Sequence, residues 1–175
     1  MAADGSTRIP FDWRPAVAAD VPALAALYRA CARALGPRVY TSGQTAAWAS
    51  FADDEPGFRR YVLDADTWVA EGVHADAGTG AGMPGVLGFC GVDAEGDLRE
   101  VHSLYVAPSS TRHGIGTAML RRTLARAQAA GGRRFAAWVT PLSRPVFLGQ
   151  GFEWTQTVTA PFAGTMFERY RVERG

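Results

Sequence analysis

The chain of 175 residues contains no lysine and no asparagine, and all 18 of its basic residues are arginine. Without lysine, the protein cannot form a lysine Schiff base or a Walker-type phosphate loop, which needs a lysine. Without asparagine, it has no acceptor for N-linked glycosylation. Its only two cysteines, Cys31 and Cys90, lie far apart in apolar surroundings, so we expect buried, reduced thiols. No cluster of Cys and His has the spacing of a zinc site, and we expect no metal.

The sequence also lacks a long apolar run and a strong excess of one charge. No segment approaches the roughly 18 consecutive apolar residues of a membrane-spanning helix, and residues 1–10 lack the apolar core of a signal peptide. The 18 basic residues nearly balance the 17 acidic ones, for a formal charge of +1, whereas proteins that bind duplexes or membrane surfaces usually carry a large basic excess. These absences predict a cytoplasmic protein with neither nucleic acid nor a membrane as its main partner.

The composition is that of an ordinary globular chain. Apolar residues make up 47% of the sequence and charged residues 20%, which indicates a buried core rather than a disordered chain. The length fits one domain. We expect residues 1–9 to form a flexible tail and residues 10–175 to form a single domain.

The spacing of apolar residues predicts helices early in the chain and mainly strands after them. Helices are predicted at 21–35, about 44–51, 56–63, 117–130 and 141–150. Strands are predicted at 11–17, 67–73, 86–92, 98–106, 134–139, 152–159 and 165–172, with a turn-like segment at 74–85. Asp20 is expected to cap the first helix. The strands at 98–106 and 134–139 flank a helix and should be parallel. The sequence therefore predicts an α/β (α+β) fold with a mixed, mostly antiparallel sheet of six or seven strands and flanking helices.

The most informative segment is the glycine-rich turn that follows the strand at 98–106. Gly114 and Gly116 open a helix there, and glycine lets the backbone approach a ligand closely. The first N–H groups of a helix have no partner within it, and the helix dipole adds positive charge at this end. With Arg112 and His113 as further donors, the turn predicts a pyrophosphate-binding site.

Two nucleotide-binding motifs and a ligand-free cap are the alternatives for this turn. The dinucleotide fingerprint needs a third glycine where Met119 stands, and it normally opens the fold, whereas this turn lies past mid-chain. A Walker motif needs the lysine that the chain lacks. These departures disfavour an NAD- or ATP-dependent enzyme, and a glycine-rich helix cap with no ligand stays open.

Several segments of the chain together resemble a known family, the GCN5-related N-acetyltransferases. Residues 111–116, Thr-Arg-His-Gly-Ile-Gly, match both glycines of the acyl-CoA motif Gln/Arg-x-x-Gly-x-Gly/Ala, although Thr111 departs from the usual Gln or Arg. Residues 143–152, Ser-Arg-Pro-Val-Phe-Leu-Gly-Gln-Gly-Phe, resemble the second signature, Ala-x-x-Phe-Tyr-x-x-x-Gly-Phe. The order of predicted elements agrees from 11 to 172. The segment 40–49 resembles a small, mostly uncharacterised bacterial branch of the family.

The resemblance implies that acetyl-CoA is the acyl donor, with no metal. In the family, two parallel strands splay apart and hold the pantetheine arm between them, which here implies residues 104–106 and 138–140. A backbone N–H near Val106 would then polarise the thioester carbonyl. The residues expected to contact acetyl-CoA are Leu104, Tyr105, Val106, Thr111, Arg112, His113, Gly114, Ile115, Gly116, Thr117, Ser143 and Phe147.

Two titratable residues are the candidates for accepting the proton of an amine substrate. Strand alternation predicts Glu100, His102, Leu104 and Val106 on one face of the strand. Histone-acetylating relatives carry a catalytic Glu at the position of Glu100, and arylalkylamine-acetylating relatives carry a His at that of His102. The alternatives are that Glu100 pairs with an arginine and that His102 is a half-buried structural residue. The family's general-acid tyrosine is replaced by Phe147, so water is the expected source of the proton for the leaving thiolate.

The sequence thus predicts transfer of an acetyl group from acetyl-CoA to a primary amine of a small molecule or peptide, by direct attack in a ternary complex. A non-catalytic acyl-CoA-binding or sensing module is the alternative from a different class. Homodimers are common in such folds, which leaves a homodimer open. The residues weighed for the acceptor side are Arg38, Tyr40, Gln44, Trp48, Asp53, Asp54, Glu55, Trp154 and Phe162.

Overall fold

The computed structural model describes residues 9–73 and 85–175. Its strands are β1 (Phe11–Pro15), β2 (Asp66–Gly72), β3 (Gly85–Glu95), β4 (Leu98–Val106), β5 (Arg134–Val139), β6 (Glu153–Phe162) and β7 (Thr165–Arg174). Its α-helices are α1 (Val21–Leu35), α2 (Ser42–Ser50), α3 (Glu55–Leu63), α4 (Ile115–Ala129) and α5 (Arg144–Leu148). The predicted turn-like segment at 74–85 lies, up to residue 84, outside the described residues.

The seven strands form one sheet in the order β1-β2-β3-β4-β5-β7-β6. Only the β4–β5 pair is parallel, and α4 connects these two strands, whereas all other neighbours are antiparallel. This confirms the predicted mixed, mostly antiparallel α/β architecture. β4 and β5 also have the predicted boundaries.

Helices cover both faces of the sheet, and each face has its own core. On one face, α4 and α5 bury residues such as Leu120 and Phe147 against the strands. On the other face, α1 and α3 bury residues such as Leu24 and Phe58. Among the described residues, no helix is both long and apolar enough to cross a membrane.

The start of α1 differs from the expectation for Asp20. Its carboxylate makes no capping hydrogen bond to α1. It instead accepts from the Val17 N–H at 2.8 Å and holds the Arg14 guanidinium through two bonds of 2.8 and 2.9 Å. The side chain therefore ties β1 to the short turn before the helix, because a guanidinium fork matches both carboxylate oxygens.

A β-bulge interrupts β4 at His102. Gly91 of β3 pairs with Ser103, but the next residue, Val92, pairs with Val101. His102 is therefore the extra residue of β4, and a bulge of this kind shifts the side-chain alternation by one position.

This bulge makes the predicted alternation of β4 wrong. Leu104 and Val106 pack into the core on the α4 face, whereas Tyr105 packs on the α1 and α3 face. Glu100 and His102 line a pocket with Tyr105, and neither Leu104 nor Val106 takes part in that pocket. The two titratable residues thus lie on the face opposite the one that Leu104 and Val106 share.

β4 and β5 diverge toward their carboxyl ends. Their pairing runs only from Leu98 opposite Arg134 to Val101 opposite Ala137. β4 continues to Val106 and β5 to Val139. The gap lies where the family resemblance implies the pantetheine arm.

Candidate active site

A cleft of about 590 Å³ opens between the diverging strands. Its walls come from α1 and the turn after it, from α2, from the ends of β4 and β5, from the turn before α4 with the first residues of α4, and from α5. The expected coenzyme residues that line it are Leu104, Tyr105, Val106, Thr111, Arg112, Gly114, Ile115, Gly116, Thr117, Ser143 and Phe147. His113 does not line this cleft, and its Nδ1 is buried.

The N-terminus of α4 provides free backbone donors at one end of the cleft. The first hydrogen bond of the helix runs from the Ala118 N–H to the Gly114 carbonyl at 2.9 Å. The N–H groups of Ile115, Gly116 and Thr117 precede this bond, and no side chain within residues 9–73 and 85–175 caps the helix. These donors point out of the helix with the positive end of its dipole, which suits a diphosphate.

The turn before α4 is held in an unusual backbone conformation. Arg112 and Gly114 both have positive φ values, of 66° and 74°. Only glycine adopts this region without steric cost, so Gly114 is required here and Arg112 is strained. The Thr111 hydroxyl donates to the Pro108 carbonyl at 3.0 Å and so stabilises the turn. Positive φ values at alternate residues turn the N–H groups of this turn toward its concave side, where an anion binds.

The backbone of Val106 faces the gap between β4 and β5. The next residue, Ala107, donates its N–H to Leu87 of β3 at 2.8 Å. Successive N–H groups of a strand point to opposite sides, so the Val106 N–H points away from β3 and into the gap. The Cys31 thiol donates to the Val106 carbonyl at 3.1 Å, which holds this peptide in place. A thioester carbonyl in the gap would meet the Val106 N–H.

The second signature positions α5 rather than supplying a catalytic hydroxyl. The Thr140 N–H donates to the Ser143 hydroxyl at 3.1 Å, and the Ser143 N–H donates to the Thr140 hydroxyl at 3.2 Å. Phe147 is buried and packs edge-on against Phe152, with ring centroids 5.2 Å apart. The predicted helix at 141–150 is shorter than expected because this reciprocal turn occupies its first residues.

An aromatic pocket of about 260 Å³ lies on the other side of β4. Nine of its fifteen lining residues are aromatic, and they come from five helices and loops and from four strands. They are Tyr28, Tyr40, Trp48, Phe51, Tyr61, Tyr105, Trp138, Phe162 and Phe167. Burial raises the pKa of Tyr40 to about 12 and also raises the pKa values of Tyr28, Tyr61 and Tyr105. Their hydroxyls therefore stay protonated.

The β6–β7 hairpin forms one wall of this aromatic pocket. Its two-residue turn, Ala163 and Gly164, has positive φ values of 46° and 75°, as tight hairpins require. Phe167 packs edge-on against Tyr40, with centroids 5.2 Å apart. The Gln44 amide donates to the Met166 carbonyl at 2.9 Å, so α2 holds the hairpin against the pocket.

Some of the residues weighed for the acceptor side lie outside the pocket. Trp154 is 55% exposed on β6. Asp53 pairs with Arg29 at 3.4 Å, and the Asp54 side chain accepts from the Gly57 N–H at 3.2 Å to cap α3. Arg38 lines the coenzyme cleft instead of the aromatic pocket. The acidic run thus serves surface contacts and helix capping.

Glu100 lines the aromatic pocket, but its carboxylate is already held by an arginine. Arg171 of β7 donates to it at 2.9 Å, and the two side chains are 14% and 33% exposed, respectively. Arg171 also pairs with Glu173 at 3.2 Å. Protonating Glu100 would break this partly buried ion pair, so the structure favours the arginine-paired interpretation of this residue over a free base.

His102 lies where the aromatic pocket meets the coenzyme cleft. It lines both, together with Trp48, Tyr105, Trp138, Val139 and Thr140. Tyr61 packs edge-on against the imidazole, with the two ring centroids 4.6 Å apart. Burial lowers the pKa of His102, and the charges of Asp93 and Glu100 offset part of that effect. A histidine with a lowered pKa is neutral at pH 7 and able to accept a proton.

Sequence reasoning missed Arg171 and most of the aromatic pocket. Phe51, Tyr61 and Phe167 reach it from three different elements. Aromatic residues at helix or strand spacing look like ordinary core residues in the sequence, so no local signal marks these three. Arg171 is one of many arginines, and only the antiparallel pairing of β5 with β7 brings it near Glu100.

These features define a protein with an open cleft between two diverging strands and an aromatic pocket beside it. The acetyltransferase (GNAT) family model matches residues 24–152. The chain therefore belongs to the GNAT family and is an acyl-CoA-dependent acetyltransferase.

Solved structures share this fold. A GCN5-related N-acetyltransferase from Rhodopseudomonas palustris has a TM-score of 0.80 and 23% identity, covering 94% of each chain. PaiA N-acetyltransferase from Thermoplasma acidophilum, solved with coenzyme A, has a TM-score of 0.73 and 15% identity, covering 94% of this chain and 98% of that one. A phosphinothricin acetyltransferase from Sinorhizobium meliloti, solved with acetyl-CoA, has a TM-score of 0.62 and 22% identity over 94% and 87%. No curated protein sequence matches this chain.

Proposed function

We propose that this protein transfers the acetyl group of acetyl-CoA to the primary amine of a compact small molecule with an aromatic or apolar body. The observation that carries the proposal is the meeting of the coenzyme cleft with the aromatic pocket at His102. A thioester in the cleft and an amine in the pocket would then react directly in a ternary complex. Holding both reactants in place is a large part of the catalysis available to such a site.

The walls of the acceptor pocket support an aromatic or apolar body. Ring pairs run almost continuously around it, including Phe51 with Phe162 at 5.7 Å and Phe162 with Phe167 at 6.0 Å. Aromatic side chains pack best against other rings and flat apolar groups. The faces of the same rings also attract an ammonium ion, so the protonated amine can enter this pocket.

The charged groups of the pocket are occupied by protein partners. Glu100 is paired with Arg171, and Glu168 accepts a hydrogen bond from the Tyr170 hydroxyl. The Arg169 guanidinium lies over the Trp138 ring, 5.3 Å from its centroid. The second charge of a polycation or of a free amino acid would find a partner here only by breaking one of these contacts. The pocket therefore favours a monoamine.

The proton steps follow from the placement of His102 and Val106. His102 accepts one proton from the bound ammonium, and the neutral nitrogen attacks the thioester carbonyl carbon. The Val106 N–H donates to the oxygen as it gains negative charge. The carbon–sulfur bond then breaks, and the second amine proton passes through solvent to the thiolate. The products are the amide, the coenzyme thiol and the proton that His102 returns to solvent.

A non-catalytic acyl-CoA-binding module is the second candidate, and Phe147 is the observation that favours it. A buried phenylalanine stands where relatives carry a general-acid tyrosine, so the leaving thiolate has no side-chain donor there. A thiol of modest pKa leaves readily without one, and for this reason we favour the enzyme.

The test is a thiol-release assay with acetyl-CoA and a panel of amines. The panel is 2-phenylethylamine, butylamine, spermidine, free phenylalanine and a short peptide with a free N-terminus. We expect 2-phenylethylamine to have the highest kcat/KM, by about tenfold over spermidine, since ring packing contributes about 0.5–1.5 kcal/mol beyond buried area. A preference for spermidine or phenylalanine would overturn the substrate class. Thermal stabilisation by acetyl-CoA without turnover of any amine would identify the binding module.

Matched variants on the hairpin separate the pocket from the fold. Phe162→Ala should lower kcat/KM for 2-phenylethylamine more than for butylamine, because Phe162 lines the pocket. Trp154→Ala changes an exposed aromatic residue on the same strand and should leave both values unchanged. Equal losses with both amines would show that Phe162 serves the fold alone.

A further inference from the structure

Three buried polar atoms converge on Gly91, beside the imidazole of His102. A Cβ atom built on Gly91 would lie 2.4 Å from His102 Nε2, 2.7 Å from Thr67 Oγ1 and 2.8 Å from Ser103 Oγ. Because the two longest of these distances, 2.7 and 2.8 Å, sum to 5.5 Å, no two of the three atoms lie farther than 5.5 Å apart. All three are buried, and none makes a hydrogen bond of good geometry within the parts of the chain that the structure describes, although the Ser103 hydroxyl lies beside the Tyr61 hydroxyl. Buried polar groups normally have partners, so this cluster requires an explanation.

The sheet brings these groups together by register. Thr67 of β2 pairs with Gly91 of β3, and Gly91 pairs with Ser103 of β4. The bulge turns His102 toward the same site. Any side chain at Gly91 would fill the space between the hydroxyls and the imidazole. Glycine at this position therefore keeps a small polar site open behind the ring.

We infer that Thr67 and Ser103 position His102, because their hydroxyls partner Nε2 and keep a proton on it. A neutral imidazole has one N–H and one acceptor nitrogen. A hydroxyl can accept from Nε2–H or donate to a bare Nε2, and we assign the first arrangement because it leaves Nδ1 free to accept a proton. With the proton on Nε2, Nδ1 accepts the proton of the amine in the pocket that His102 lines. Rotation of the Thr67 or Ser103 side chain, or one bridging water molecule, spans the distance between its hydroxyl and Nε2. This inference rests on the proposed role of His102 as the base.

Other charged and titratable groups lie around the imidazole, but none of those within residues 9–73 and 85–175 forms a hydrogen bond with buried Nε2. The Tyr61 hydroxyl donates to the His102 backbone carbonyl at 3.0 Å. The titratable and charged side chains around the ring are Tyr61 on α3, Asp93 on β3, Glu100 and Tyr105 on β4, and Glu168, Arg169 and Arg171 on β7. Thr67 and Ser103, both at least nine-tenths buried, are thus the hydroxyls nearest to Nε2, and the Ser103 hydroxyl also lies beside that of Tyr61.

The experiment follows the imidazole by 15N NMR, because the sequence contains only three histidines and His102→Gln assigns the signal. We expect the wild type to carry its proton on Nε2. In the Thr67→Val, Ser103→Ala double variant, the proton should redistribute toward Nδ1, and kcat should fall about tenfold, part of the 10²–10⁴-fold that a positioned base contributes. The acid limb of kcat/KM should move to lower pH, since the imidazolium loses hydrogen-bond acceptors. An unchanged Nε2 signal in this variant would overturn the inference.

Two further variants control for structural effects. Thr67→Ser keeps the hydroxyl and should retain the wild-type NMR signal and pH profile. If the double variant fails to fold, this single variant still tests whether the hydroxyl at position 67 is sufficient. Thr123→Val removes another buried hydroxyl, on α4 and beside the Cys90 thiol, and should change neither readout. If His102→Gln keeps full turnover, the proposed base role is wrong, whereas the NMR result still decides the positioning of the ring.

Discussion

Replacing Gly116 with alanine separates the coenzyme-binding role of α4 from its structural role. Gly116 is the second residue of α4, and its backbone needs no positive φ. A Cβ built there has one neighbour within 4 Å, the Val106 Cγ2 atom at 3.4 Å, which is ordinary van der Waals contact. Alanine is more favourable than glycine in a helix by about 0.5–1 kcal/mol. The variant should therefore melt at the same temperature as the wild type or a few degrees higher.

The affinity for acetyl-CoA should fall in this variant, although its thermal stability does not. Gly116 lines the coenzyme cleft, and its N–H is one of the free donors of α4. A methyl group there keeps a diphosphate away from these donors, and a hydrogen bond to a charged group contributes about 1.5–3 kcal/mol. The Kd for acetyl-CoA should rise roughly ten- to hundredfold. Calorimetric titration measures this Kd, and a thermal melt of the same sample measures stability.

Gly43 provides the matched control. It is also the second residue of its helix, α2, and a Cβ built on it meets nothing within 4 Å. Gly43→Ala should give the same small change in stability with no change in acetyl-CoA affinity. A stable Gly116→Ala variant that binds acetyl-CoA as tightly as the wild type would refute diphosphate binding at the start of α4.

Three other predictions concern titratable groups. Burial keeps the pKa of His102 below its usual value near 6.5, so kcat/KM, corrected for ionisation of the amine, should fall only below about pH 6.5, and His102→Gln should abolish that limb. Burial raises the pKa values of Cys31 and Cys90 to about 12, so neither should react with a thiol reagent at pH 8 until denaturant is added; rapid native labelling would contradict this. Asp20→Asn should cost about 1–3 kcal/mol in urea unfolding at neutral pH. Hydrogen bonding to Arg14 lowers the pKa of Asp20 below 3.8, so this difference should persist above pH 3.8 and shrink as the pH falls through the lowered pKa; a constant difference down to pH 2 would argue against the ion pair.

The sequence was most informative where short-range rules decide the structure. Turn residues beside β4 and β5 indicated their boundaries, because the acidic turn ending at Asp97 precedes β4, Pro108 follows it, and Gly131-Gly132 precedes β5. Gly114 and Gly116 marked the start of a helix with free donors, because the chemistry of a helix terminus depends on a few consecutive residues. The connection of two strands through one helix also predicted their parallel pairing, since the handedness of such units leaves few alternatives.

Long-range register could not be predicted in the same way. The acceptor pocket joins residues as distant as Tyr28 and Phe167, and each looks like a core residue in its own segment. The pairing of Glu100 with Arg171 depends on where β7 lies in the sheet. The bulge at His102 depends on how β3 and β4 pair, and no residue of β4 by itself indicates it.

That bulge lets one strand serve two sides of the molecule. In a regular strand, side chains two residues apart share a face, so His102 would share one with Leu104 and Val106. These two residues pack into the α4 core, and a regular strand would then place the imidazole in that core, away from the acceptor pocket. One extra residue instead turns His102 to the opposite face, while the Val106 peptide still borders the coenzyme cleft. The strand can thus contribute a proton acceptor to one substrate and a hydrogen-bond donor to the other because its alternation is broken between them.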